Sequence, residues 1–158
     1  MKSNIAKWAG LLGIIISIAA VITLYAASVH LKGQVTLTDN GTTATVCGAL
    51  AGLGNGDVTL TLTGTGTTSV TCTNPAGNFA PGNAGDVSVG ATQTIPATEI
   101  KNGNVSFCIT TTAPACSSAR DCGCPNDNWT ATVTDVAFSS MTLVVEQGGQ
   151  VVLTTQVK

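Results

Sequence analysis

The sequence predicts an all-β fold, an immunoglobulin-like antiparallel β-sandwich of about seven strands preceded by an amino-terminal hydrophobic helix. Three observations carry this reading. Short runs alternate apolar residues with threonine or serine, the two-residue period of a half-buried strand. Gly, Asn and Pro recur between the runs. All six cysteines follow an uncharged apolar stretch from Trp8 to Val29.

That apolar stretch is preceded by Lys2 and Lys7 and has two readings, both of which imply export. A cleaved signal has a short apolar core and a small-residue cleavage site, which Ala26-Ala27-Ser28 supplies. As a helix, Trp8 to Val29 extends roughly 33 Å at about 1.5 Å per residue, enough to cross a hydrocarbon core of about 30 Å. Trp8 and Tyr25 then lie near the two lipid–water interfaces, and the lysines hold the amino terminus in the cytoplasm. Residues 1–28 are read as a signal peptide or a membrane anchor, and 33–158 as a single disulfide-stabilised domain. The protein is expected to be extracytoplasmic, either secreted or held to the membrane by one amino-terminal helix. About 130 residues are enough for one core.

Val35 and Leu37 alternate with polar residues before Asp39-Asn40-Gly41, which suits a tight turn with positive φ, and Ala44 and Val46 follow, predicting a hairpin. Val58, Leu60 and Leu62 alternate with Thr59, Thr61 and Thr63, predicting a strand that buries one face and exposes a row of β-branched hydroxyls. Gly64 and Gly66 are expected to interrupt it, with a separate strand through Val70 and Cys72. Asn74 to Asn78 and Pro81-Gly82-Asn83 predict a long loop, and strands resume at Val87 and Val89. Ile95 to Lys101 has room for a helical turn only. Val105, Phe107 and Ile109 alternate with Ser106, Cys108 and Thr110, which sends Cys108 to the face opposite the aromatic. Thr132 to Val136, Phe138 to Glu146 and Val151 to Val157 are three last extended runs, the final two joined as a hairpin through Gln147-Gly148-Gly149. Short strands at this spacing favour two packed antiparallel sheets, with a small barrel as the alternative.

The chain has a formal net charge of −2 and only 9% charged residues, with its basic side chains scattered. A nucleic-acid partner requires a basic stripe to neutralise phosphates, so no nucleic acid is expected. Membrane contact is expected only through the amino-terminal segment, if it is retained. Catalysis is poorly served. The single histidine, His30, borders the apolar segment, leaving no imidazole in the domain to activate a nucleophile, and the acids show no spacing that selects a catalytic pair. Gly52, Gly54 and Gly56 lack the Lys and Ser/Thr of a phosphate loop and read as turn formers. No enzyme and no cofactor are expected.

Cys47, Cys72, Cys108, Cys116, Cys122 and Cys124 behind an export segment read as half-cystines, for which fifteen pairings are possible. Cys122-Gly123-Cys124 with Cys116 nearby lacks the two-pair spacing of structural zinc and the C-x-x-C of redox dithiols, so bridges are favoured over thiolate chemistry. Asp121, Asn126, Asp127 and Asn128 offer oxygens in the same stretch. They lack the regular spacing and bidentate glutamate of a calcium loop and read as turn formers, so no metal is expected. Together with Trp129, a residue suited to core packing or to recognition, they form a candidate recognition loop. Asn40-Gly41-Thr42, Asn104-Val105-Ser106 and Asn128-Trp129-Thr130 match the N-glycosylation pattern.

The stretches Gly52-Leu53-Gly54-Asn55-Gly56-Asp57-Val58, Cys72-Thr73-Asn74-Pro75-Ala76-Gly77-Asn78, Ile95-Pro96 with Glu99-Ile100-Lys101-Asn102-Gly103-Asn104-Val105, and Cys124-Pro125-Asn126 with Asn128-Trp129 resemble a group of secreted bacterial and fungal proteins without an established activity. The resemblance spans most of the mature chain. It implies export, a small β-rich domain, and Cys72 and Cys124 as the shared pair. The remaining four are then paired among themselves, Cys47 with Cys108 between strands and Cys116 with Cys122 around a local loop. The functional expectation is an exported structural or binding module at the cell surface or in the extracellular space, partnered by a surface polymer or by itself. The alternative is a secreted ligand-binding or thiol-redox accessory protein using the loop from Cys116 to Asn128.

Overall fold

The computed structural model describes residues 29–83 and 85–158, so the expected amino-terminal helix over 1–28 lies outside the described residues. Nine strands follow in chain order: β1 (His30–Leu31), β2 (Thr36–Asp39), β3 (Ala44–Ala51), β4 (Val58–Thr73), β5 (Phe79–Pro81), β6 (Asp86–Ile95), β7 (Val105–Thr110), β8 (Thr130–Gln147) and β9 (Gln150–Gln156). A single 3-10 turn over Ala97–Glu99 sits between β6 and β7. Among the described residues no helix is long and apolar enough to cross a membrane.

The strands form two antiparallel sheets. In the smaller, β3 is central, flanked by β7 on one side and by β1 and β2 in succession on the other. In the larger, β4 pairs with β8 along its whole length, β9 lies beyond β8, and β6 and β5 share the other side of β4. Val46, Leu50, Phe107 and Ile109 of the small sheet and Leu60, Leu62, Met141, Leu143 and Val145 of the large one belong to one buried cluster. Each such aliphatic side chain removed from water is worth about 1.5–3 kcal/mol, so this shared cluster is what holds the two sheets together.

Sequence periodicity placed the strands well and their ends less well. About seven strands were expected and nine form, because β1 and β5 are short edge pieces with too few residues to show a period. The long loop expected after Cys72 contains β5, paired with Thr71 to Thr73. Val29 is 7% exposed and belongs to the buried core, and His30 of β1 pairs with Ala51, so the core includes residues before the expected boundary at residue 33.

The larger correction concerns the central pair. Gly64 and Gly66 do not interrupt β4, and Ala137 does not divide β8; each is one continuous strand, of 16 and 18 residues. The difference of two residues is absorbed by register shifts at Thr65/Gly66 and Ser69/Val70, where Ser139 and Thr134 of β8 have no opposite number on β4. Each bulge reverses the in–out phase of β8. The apolar positions Val133, Val136, Phe138, Met141 and Leu143 therefore all turn inward although their spacing is not uniformly two. Gly66 is required at the first bulge: a Cβ there would lie 2.8 Å from both the Ala137 carbonyl oxygen and Val136 Cγ1.

Turn chemistry fixes the hairpins. Gly41 has φ +82° and its N–H donates to Asp39 Oδ1 at 2.9 Å, which closes the β2–β3 turn. Gly148 and Gly149 both have positive φ, as a two-residue turn joining β8 to β9 requires. At this end Gln147, only 8% exposed, accepts from Gly54 N–H at 2.8 Å and donates to the carbonyls of Gly54 at 3.1 Å and Gly56 at 2.7 Å, which holds the glycine-rich turn before β4. Gln147→Ala removes three bonds to the part-buried turn and is expected to cost about 1–2 kcal/mol in urea unfolding, with no change of fold by circular dichroism.

Candidate functional site

The β4–β8 ribbon is longer than the small sheet that covers it. Its far end, around Val70, Cys72, Ala131 and Val133, is covered instead by the chain between β7 and β8. There Val70, Cys72 and Cys124 form a second buried cluster, against which Ala80, Ala119, Cys122, Trp129, Ala131 and Val133 pack. The Cys72–Cys124 bridge spans a Cα separation of 5.6 Å, with its two residues 0% and 5% exposed, and so pins this loop to the ribbon. Cys116–Cys122 closes the loop on itself, and Cys47–Cys108 joins directly opposed residues of β3 and β7. These are the same three pairs drawn from the sequence, and among the described residues no cysteine is free.

Two glycines let the loop lie flat on the ribbon. Gly82 donates its N–H to Val70 O at 2.8 Å, and a Cβ on it would sit 2.6 Å from Cys122 O. Gly123, at φ +78°, donates to Arg120 O at 2.9 Å, and a Cβ there would overlap the backbone and side chain of Asn83. Asn83 N–H in turn donates to Cys122 O at 3.2 Å.

The candidate recognition residues sit in this loop, where Asn126 and Asp127 commit side-chain oxygens to turns. Asp127 Oδ1 accepts from Arg120 N–H at 3.2 Å, and its Oδ2 lies 3.7 Å from Arg120 Nε in an exposed ion pair. Asn126 Oδ1 accepts from Asn128 N–H at 3.0 Å, and Asp121 N–H donates to Ser118 Oγ at 3.1 Å. Among the described residues, no three His, Cys, Asp or Glu side chains gather as metal ligands would. Trp129 is half-buried and packs against the Cys72–Cys124 cluster, outside the main core. Asp121 and the Cys116–Cys122 bridge line a recess of about 200 Å³ shared with Asn83, Asp86 and Pro114.

A second surface is the outer face of the large sheet. Thr59, Thr61, Thr63, Thr65, Thr67, Thr71 and Thr73 alternate with the inward residues of β4, so the expected hydroxyl row runs the length of the strand. Along the regular part of β4 successive members stand about 6.7 Å apart. Ser88, Thr92 and Thr94 of β6, and Ser140 and Thr142 of β8, stand beside them. Thr65 Oγ1 is 2.8 Å from Ser140 Oγ, so hydroxyls bond across strands. Three carboxylates flank the row, Glu146 beside Thr59 at one end and Asp86 and Asp135 beside Thr67 and Ser69 near its middle, where Thr67 Oγ1 donates to Asp86 Oδ1 at 3.4 Å.

Sequence reasoning missed Phe79. It is 76% exposed and pairs with Thr73 at one end of this face, while Val151, 58% exposed and opposite Glu146, stands at the other. A lone aromatic inside a turn-rich Asn/Pro/Gly stretch was the available signal, and reading that stretch as loop concealed it. No protein-family model matches the chain, and no curated protein matches it.

The three bridges have different surroundings, which sets an expected order of reduction. Cys108 is exposed, whereas Cys72 and Cys124 are buried. Graded reductant followed by thiol labelling and peptide mass mapping is expected to open Cys47–Cys108 well before Cys72–Cys124. Replacing Cys72 and Cys124 together by Ala is expected to cost about 4 kcal/mol, since that bridge closes a loop of 52 residues, against about 2 kcal/mol for Cys116 and Cys122.

Proposed function

We propose that this protein is an exported module of the cell surface or extracellular space, an immunoglobulin-like sandwich whose outer threonine face contacts a neutral, hydroxyl-rich polymer. The reading rests above all on that face: a broad array of hydroxyls and methyls, uncharged around Thr61, Thr63 and Thr65 and ending in the exposed Phe79. Hydroxyls supply donors and acceptors to a polyol, and an aromatic ring gives its C–H faces a flat apolar platform. The uncharged stretch suits a neutral partner, and the carboxylates Asp86, Asp135 and Glu146 around it disfavour phosphate or anionic lipid. Three disulfides, one buried, support an oxidising extracytoplasmic compartment. The apolar amino-terminal stretch and the resemblance to secreted proteins support the same location. No catalytic role is assigned.

A second reading has one observation in its favour, the recess beside Cys116–Cys122 and Asp121, which would seat a small ligand in a secreted accessory protein. Co-sedimentation with insoluble neutral polysaccharides from the producing cell separates the two. Phe79→Ala and Thr63→Asp are each expected to weaken polymer binding about 5- to 10-fold without altering stability, while Asp121→Ala leaves binding unchanged. Binding untouched by both face substitutions would remove the proposal.

A further inference from the structure

We propose that β9 is a pairing edge through which two copies of this chain join their large sheets antiparallel about a two-fold axis at Thr155. The inference deepens the surface-module reading and rests on it for the setting in which copies meet. Natural sheets protect their edges with charge, proline or a covering segment. The edge strand β5 has three residues and contains Pro81; β6 is crossed by Thr112, whose N–H donates to Gly90 O at 3.0 Å; and β2 is a four-residue strand ending in Asp39. β9 is the less protected edge: Gln150 to Gln156 contains neither charge nor proline, charge enters only at Lys158 beyond the strand, and among the described residues only β8 pairs with it.

The ladder fixes which groups face outward. Val157 N–H donates to Met141 O at 2.9 Å, and the register continues through Leu143↔Thr155 and Val145↔Leu153, so Val157, Thr155 and Leu153 direct their backbone groups at β8. By antiparallel alternation Thr154 and Gln156 direct theirs away from it. A two-fold axis at Thr155 pairs Thr154 of each copy with Gln156 of the other through those groups, and sets Leu153 opposite Val157. This centre uses only the regular stretch of the β8–β9 ladder beyond the shift at Val145/Glu146. Leu153 and Val157 are half-buried at the margin of the core, on the seam where no backbone hydrogen bond joins β9 to β1 or β2 among the described residues. Pairing with a copy covers both apolar residues and opposes no like charges, and an unrelated extended peptide would lack that self-complementarity.

At the axis, Thr155 faces its own copy as a non-hydrogen-bonded pair. This is the close cross-strand relation that supports a disulfide, as Cys47 and Cys108 do within the chain at a Cα separation of 4.1 Å. The test uses the full chain exported by its producing cell. Thr155→Cys is expected to give a bridge between residue 155 of two copies, mapped by mass spectrometry, about ten-fold more than Thr63→Cys on the outer face. Added to Thr155→Cys, T154K/Q156K sets lysine against lysine and is expected to lower that yield about ten-fold, whereas T154K/Q156E sets lysine against glutamate and restores it. A yield no higher than that of Thr63→Cys, or equal yields from the two charge variants, overturns the proposal. Labelling of the unmodified chain by an impermeant reagent, on intact cells and in their medium, reports the exported-module reading separately. A chain labelled in either place with no bridge at 155 defeats the pairing alone, and a chain labelled in neither defeats the exported-module reading itself.

Discussion

The β4–β8 ladder is the constraint on which everything else depends. It runs from Val58↔Gln147 to Thr73↔Thr130, and each other part of the molecule is placed by it. β6 and β5 attach to one flank, β9 to the other, the small sheet covers one end and the disulfide loop the other. So long a two-stranded ribbon would twist and slip register unless something fixed it. Two bulges on β8 fix it, because each re-phases the strand so that Val136, Phe138, Met141 and Leu143 face the same core. A slip of one residue would send that whole set to solvent.

A core with few aromatic residues sets the second demand. The chain is 4% aromatic, and most of its main cluster is aliphatic. The far end of the ribbon lacks even this cover, since the small sheet does not reach it. There the Cys72–Cys124 bridge and the close approaches at Gly82 and Gly123 replace bulk with covalent and backbone contact. The same arrangement leaves the opposite face of the large sheet open along its full length. The threonine face and the stabilising loop are thus on opposite sides of one ribbon.

Alternation made most of this legible in the sequence. Val58, Leu60 and Leu62 against Thr59, Thr61 and Thr63 gave both the buried face and the hydroxyl row, and Val105, Phe107 and Ile109 gave the outward placement of Cys108. What periodicity could not convey was continuity. Glycine reads as a break, yet Gly64 and Gly66 lie inside β4 because the bulged partner crowds them, and a bulge in β8 looks in sequence like the end of one strand and the start of another. Phe79 was hidden for a related reason: β5 is too short to show a period, and its surroundings are turn-forming. The residues Asp121, Asn126, Asp127 and Asn128 are neighbours in the sequence, but only the hydrogen bonds show that Asn126 and Asp127 commit side-chain oxygens to the turns.

Native-state hydrogen exchange, on the unmodified protein and with Cys72 and Cys124 both replaced by Ala, tests the two-ended ribbon most directly. The account predicts that loss of the bridge frees the amides of Val70 to Thr73 and Thr130 to Val133 while those of Leu60 to Leu62 and Leu143 to Val145 still exchange only through global unfolding. Equal loss of protection along the whole ribbon, or none at either end, would contradict it.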